Sequence, residues 1–172
     1  MKTKYITTLI ATVILLTTFV EISSAQNSAS IGAKYRQMHS AFAELPYDDG
    51  DISIGLSYDK HSSESCIQFA VDYAWELNGI PTADYIITPQ MNILWKDNAW
   101  FGGVGLLSSF IEDEQLGSDW TDLYWQLLFG LKIPAFGTSM DLGIHYEFDD
   151  WGEIGEFDWE DLQYGIWLNK AL

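Results

Sequence analysis

Strict alternation of apolar and non-apolar side chains over eleven consecutive residues is the feature that most narrows the fold of this chain. From Leu123 to Ile133 one face carries Leu123, Trp125, Leu127, Phe129, Leu131 and Ile133. The other carries Tyr124, Gln126, Leu128, Gly130 and Lys132. A helix cannot hold a period of two over that length. A strand must, because successive side chains leave opposite faces of a pleated backbone. The pattern recurs: Met140, Leu142, Ile144, Tyr146 and Phe148 oppose Asp141, Gly143, His145 and Glu147. Near the start, Ile52, Ile54, Leu56 and Tyr58 oppose Ser53, Gly55, Ser57 and Asp59.

The whole chain divides into eight such segments, at 29–38, 51–60, 65–76, 84–95, 99–110, 121–133, 138–148 and 161–170. The fourth is the weakest, because Pro89 brings no backbone donor to a ladder. The links between segments run 12, 4, 7, 3, 10, 4 and 12 residues, long and short in strict alternation. An up-and-down meander whose two ends meet different surroundings has this signature. Asp97-Asn98 and the stretch 134–137 read as tight turns at the short-link end.

The first 25 residues read as an export signal: Lys2 and Lys4, an apolar and Thr run from Ile6 to Val20, then Ser23-Ser24-Ala25 before the cut. The expected division is a signal peptide at 1–25 and one barrel domain at 26–172, with no cysteine near the cut to anchor a lipid. The remaining chain holds 24 acidic and 6 basic residues, a net charge of −18 with His neutral. That balance excludes nucleic-acid binding, which needs phosphate neutralisation. The four long links contain 13 of those acidic residues and no Lys or Arg, so one end of the molecule is anionic. Eight Trp, nine Tyr and nine Phe separate this acidic chain from disordered ones. Cys66 is the single cysteine; it forms no internal disulfide and reads as a small buried thiol.

A meander with one apolar face closes either as a soluble barrel, apolar inside, or as a membrane barrel, apolar outside. The second face decides. It supplies Gly32, Gly55, Ala70, Ala74, Gly103, Gly105, Gly130, Gly143 and Gly165 among a few charges, whereas a water-facing surface would show a row of charged side chains. Small residues suit the interior of a narrow barrel. The bulky face carries charge within the segments only at their last positions, Lys60 and Lys170. The predicted fold is therefore all-β, a closed eight-stranded antiparallel up-and-down transmembrane β-barrel. Tyr73, Trp75, Trp125, Tyr146, Phe148 and Trp159 would form an aromatic girdle at the long-link end, and Tyr58, Trp95 and Trp100 one at the other.

In this layout the chain resembles the small eight-stranded outer-membrane barrels of Gram-negative bacteria, the class of OmpX and the transmembrane domain of OmpA. It departs from them at the end, Asn169-Lys170-Ala171-Leu172, where the family has a terminal aromatic. The resemblance implies a monomer in the cell outer membrane, with short turns toward the periplasm and long loops outside. It implies contact with outer-membrane lipid, lipopolysaccharide and the outer-membrane assembly machinery, and no cofactor.

Facing inward the alternation places Lys34, Arg36, Asp59, Asp72, Glu76, Lys132, Asp141, His145 and Glu147. An eight-stranded barrel is just wide enough to pack its side chains, so these charges are expected to pair into a structural network. Arg36 and Lys132 would neutralise Asp72, Asp141 or Glu147. His145 reads as structural. There is no G-x-S-x-G, no outward Ser–His pair within the strands, and His39-Ser40 and His61-Ser62 are neighbours only in sequence. Asp149, Asp150, Glu153, Glu156, Asp158, Glu160 and Asp161 crowd the last long link without the ordered spacing of a calcium loop, and read as a solvated acidic surface. The leading functional expectation is a non-enzymatic barrel with an envelope-structural or surface-interaction role. Three alternatives stay open: a lipid-modifying outer-membrane enzyme, a soluble lipocalin-like carrier of an apolar ligand, and a narrow pore.

Overall fold

The computed structural model describes residues 27–36, 46–47, 50–62, 65–78, 83–113, 115, 117–135, 137–149, 151 and 159–172. The expected signal peptide, His39, Ser40, Asp150, Glu153, Glu156 and Asp158 lie outside the described residues.

The strands are β1 (Ser28–Tyr35), β2 (Ile52–His61), β3 (Ser65–Ala74), β4 (Ala83–Lys96), β5 (Trp100–Leu107), β6 (Phe110–Asp113), β7 (Gly117–Trp120), β8 (Tyr124–Ala135), β9 (Thr138–Phe148) and β10 (Gln163–Ala171). All pairings are antiparallel, and the circuit β1–β2–β3–β4–β5–β8–β9–β10 returns to β1. Closure is made by β1 against β10, from Ser28 opposite Ala171 to Tyr35 opposite Tyr164. The fold is thus a closed eight-stranded barrel, with no free edge around its wall.

β6 and β7 are upward continuations of the fifth and sixth strands of that barrel. The β4–β5 ladder ends at Gln90 opposite Leu107, and β4 pairs again from Ile87 opposite Phe110. Pro89 sits in the gap between the two ladders, while on its other side it stays opposite Val71 of β3. Side chains bridge the break: Thr88 Oγ1 and Ser109 Oγ lie 2.7 Å apart, and Ser109 N–H donates to Thr121 Oγ1 at 2.9 Å. The 111–120 stretch, expected as a loop, is therefore the tip of a hairpin that carries the sheet beyond the barrel wall. At the opposite end Asp97 N–H donates to Trp100 O at 2.9 Å in the β4–β5 turn. Gly137 turns the β8–β9 hairpin at a φ of 79°, a conformation that L side chains rarely adopt.

Side-chain direction follows the expected alternation. Ile31, Ile52, Ile54, Leu56, Ile67, Phe69, Met91, Ile93, Phe129, Leu131, Ile133, Ile166 and Leu168 all point outward and are exposed, forming an apolar belt around the wall. Tyr73, Trp75, Trp159, Trp95 and Trp100 are exposed at its two rims. Tyr146 and Phe148 depart from the expected girdle. Both are buried on the outer side of β9, in a cluster with Leu162 and Trp125, and Trp151 meets the Phe148 ring edge-on at 5.0 Å.

Candidate functional site

The lumen is the most organised chemical feature, and it is filled in layers. At the long-link end Tyr47, Ala74, Leu77, Ala83, Ile86, Leu107 and Tyr124 form an apolar cap. Tyr47 and Leu77 come from links, not strands. The Tyr47 ring lies 4.0 Å from the Arg36 guanidinium carbon and its hydroxyl lies 2.5 Å from Thr88 Oγ1. Burial pushes the Tyr47 phenol up to about 12, against the pull of Arg36.

Beneath the cap lies a fully buried cluster of two cations and two carboxylates. Arg36 Nη1 donates to Glu147 Oε1 at 2.8 Å and to Gln163 Oε1 at 2.6 Å, and Nη2 donates to Asp72 Oδ2 at 3.1 Å. Lys34 Nζ stands 3.0 Å from Asp72 and 4.0 Å from Glu147. The formal charges of these four groups cancel, which is the condition for keeping them out of water. Amides then carry the bonding downward. Gln90 donates to Asp72 at 2.6 Å, Gln126 donates to Gln90 at 3.0 Å and to Asn92 at 2.7 Å, and Asn92 donates to Gln68 at 2.9 Å. Gln68 in turn donates to Asp59 at 2.8 Å, and Asp59 also holds Lys96. A single hydrogen-bonded chain thus runs from Glu147 near the cap to Lys96 near the short-link mouth.

Two inward rings fill the space beside this chain. Trp167 lies against Gly32 and Gly55, which face each other across β1 and β2. Phe101 lies against Gly130, whose cross-strand partner is Gly143. At each of Gly32, Gly55 and Gly130 a Cβ would collide with the ring. These three glycines are therefore cradles for two large aromatics rather than linings of an open passage. A cavity of about 20 Å³ remains in the lower lumen, lined in part by Ser30, Ser57, Gln68, Asp141, His145 and Trp167.

The residues expected inside are distributed as follows. Lys34, Arg36, Asp72 and Glu147 meet in the buried cluster, and Asp59 pairs with Lys96. His145 is buried with Nδ1 3.4 Å from Gln126 Oε1. Asp141 is buried lower down, opposite Lys132 in the β8–β9 register, and Lys132 is half-exposed. Glu76 is the exception: β3 ends at Ala74, so the alternation stops, and Glu76 turns out into solvent at a φ of 55°. Sequence reasoning missed Tyr47, Gln90, Gln126, Gln163 and Lys96. The amides share the inward parity of their strands and could have been read from it, whereas Tyr47 sits on a link where parity says nothing.

Among the described residues a Ser–His contact appears that the sequence reading did not consider. His61 Nε2 lies 3.2 Å from Ser28 Oγ at the short-link mouth. The nearby carboxylate, Asp59, is held by Lys96 and Gln68. No group of three or more His, Cys, Asp or Glu among the described residues could hold a metal ion.

No protein-family model and no curated protein matches the chain. Among solved structures it is similar to the crystal structure of Neisserial surface protein A, with a TM-score of 0.60 at 10% identity, over 85% of this chain and 97% of that one. It also aligns with Ail, the attachment invasion locus protein of Yersinia pestis, at 15% identity over 87% of this chain and 97% of that one, with a TM-score of 0.43. The first likeness shows that the closed barrel of this chain is a fold already seen in a bacterial surface protein.

Proposed function

We propose that this chain is a non-enzymatic outer-membrane barrel with an envelope-structural or surface-interaction role. The observation that carries the reading is the opposition of the two faces: a continuous exposed apolar belt outside, and a neutralised, hydrogen-bonded charge cluster inside. Water offers no stabilisation for such a belt, whereas hydrocarbon does, and closure satisfies every wall strand without solvent. The barrel would insert with its short links toward the periplasm and its acidic long links outside, against lipid and lipopolysaccharide, after export by residues 1–25 and handling by the assembly machinery. A plugged lumen argues against a general pore. The Ser28–His61 pair lacks a carboxylate free to orient the imidazole, which argues against a hydrolase of the triad type. A carrier of apolar ligands would need the bulky face turned inward.

Cell fractionation tests the proposal. The mature protein, beginning at Gln26, is expected in the outer membrane, extracted only by detergent and slower or faster on electrophoresis before heating than after. Recovery as a soluble periplasmic protein would reject it.

A further inference from the structure

His145 is 4% exposed, and its two ring nitrogens have different surroundings. Nδ1 faces Gln126 Oε1 at 3.4 Å. Gln126 spends its amide N–H groups on Gln90 and Asn92, so its oxygen is the acceptor and Nδ1 carries the proton. Nε2 is then a bare lone pair, and no protein group among the described residues bonds it. A buried acceptor left without a donor is destabilising, so a donor is expected there.

The lone pair comes close to the backbone of two glycines, whose missing side chains let the neighbouring rings approach. A Cβ on Gly165 would lie 3.2 Å from His145 Nε2 and 2.9 Å from Trp167 Nε1, and one on Gly143 would lie 3.5 Å from Nε2. One acceptor, His145 Nε2, and one obligate donor, the indole N–H of Trp167, thus come close to the same glycine. His145 and Trp167 both line the cavity of about 20 Å³, which also receives the polar side chains of Ser30, Ser57 and Gln68. That volume suffices for a water molecule, for which roughly 10–15 Å³ is needed.

We propose that this cavity is a binding site for a structural water, held between the two side chains as acceptor from Trp167 Nε1–H and donor to His145 Nε2. The site extends the hydrogen-bonded chain of the lumen sideways, from Gln126 through the imidazole and the water to the indole. It gives the Trp167 ring a polar anchor in addition to its glycine cradle. It also fixes His145 as the neutral Nδ1–H tautomer beside a cluster whose charge is already balanced.

Nuclear magnetic resonance of the full mature chain in detergent micelles tests this. A cross peak of an immobilised water to the Trp167 indole N–H is expected, assigned by its loss in Trp167→Phe. Long-range proton–nitrogen spectra should show His145 protonated on Nδ1 alone. Gly165→Ala, whose methyl group crowds both nitrogens, should abolish the water cross peak and leave the other seven indole signals in place. Absence of the cross peak in the wild-type protein, or a proton on His145 Nε2, overturns the proposal, and the wild-type spectra decide it whether or not the alanine variant folds.

Discussion

Arg36, directly after the first strand, and Glu147 on the strand before the last meet inside the lumen, 111 positions apart in sequence, with Nη1 donating to Oε1 at 2.8 Å. The contact spans the seam where β1 closes on β10, since β10 lies between β1 and β9. Both side chains are fully buried, so neither can fall back on water. Arg36→Met is expected to leave Asp72 and Glu147 against Lys34 alone and to lower folding stability by about 3–5 kcal/mol. The measurement is the urea midpoint of the refolded barrel. A midpoint equal to wild type would mean that the lumen is hydrated at this level.

The lower ion pair should matter less. Asp59 and Lys96 sit near the mouth, and Lys132, opposite Asp141, is half-exposed. Lys96→Met is expected to cost less than Arg36→Met, and Lys132→Met only about 0–1 kcal/mol, the range of exposed pairs. The same urea series orders the three variants. The opposite order would place the dry part of the lumen at the short-link end.

Packing of Trp167 into its glycine cradle gives a second type of test. Gly55→Ala puts a methyl group into the space occupied by the indole and by Asp72 Oδ1. Overpacking of this kind costs about 1–3 kcal/mol. Trp167→Ala in the same chain should recover part of the loss, because it removes most of what the methyl meets. Two independent, additive losses in a double-mutant cycle would contradict the contact.

The sequence was most informative where parity operates. Period two placed the wall strands and sorted nearly every side chain to the lumen or the belt, because each residue of a closed barrel faces one of only two environments. Alternating link lengths separated the two ends. Parity failed at strand ends: Glu76 lies two residues beyond β3, and its inward assignment lapsed with the pleat. The hairpin tip of β6 and β7 was taken for a loop because Glu112, Asp113 and Asp119 give it a loop's composition. The glycines were recognised as interior, but not that Trp167 and Phe101 are what they accommodate, since a ring and its cradle lie on different strands and register joins them. Tyr47 was invisible for a related reason: a link residue enters the lumen through tertiary packing alone.

Tyr47 also makes a pH prediction. Its phenol is raised from an ordinary value near 10 to about 12 by burial in the cap. The unfolded chain therefore loses this proton at lower pH than the folded one. The stability that the neutral phenol supplies is complete below pH 10 and is lost as pH rises from there to about 12. Tyr47→Phe should flatten that part of the stability profile relative to wild type. Parallel profiles above pH 10 would mean that the cap is open to solvent.

The direction of the side chains on one strand in a bilayer tests the account most directly. Nitroxide labels at 126, 128, 129, 131 and 133, introduced one at a time into a Cys66→Ala background, report collision with oxygen, which concentrates in hydrocarbon. High oxygen accessibility is expected at 129, 131 and 133, where Phe129, Leu131 and Ile133 form part of the belt, and low accessibility at 126 and 128. High accessibility at 126 and 128 with low values at the odd positions would turn the barrel inside out and contradict it.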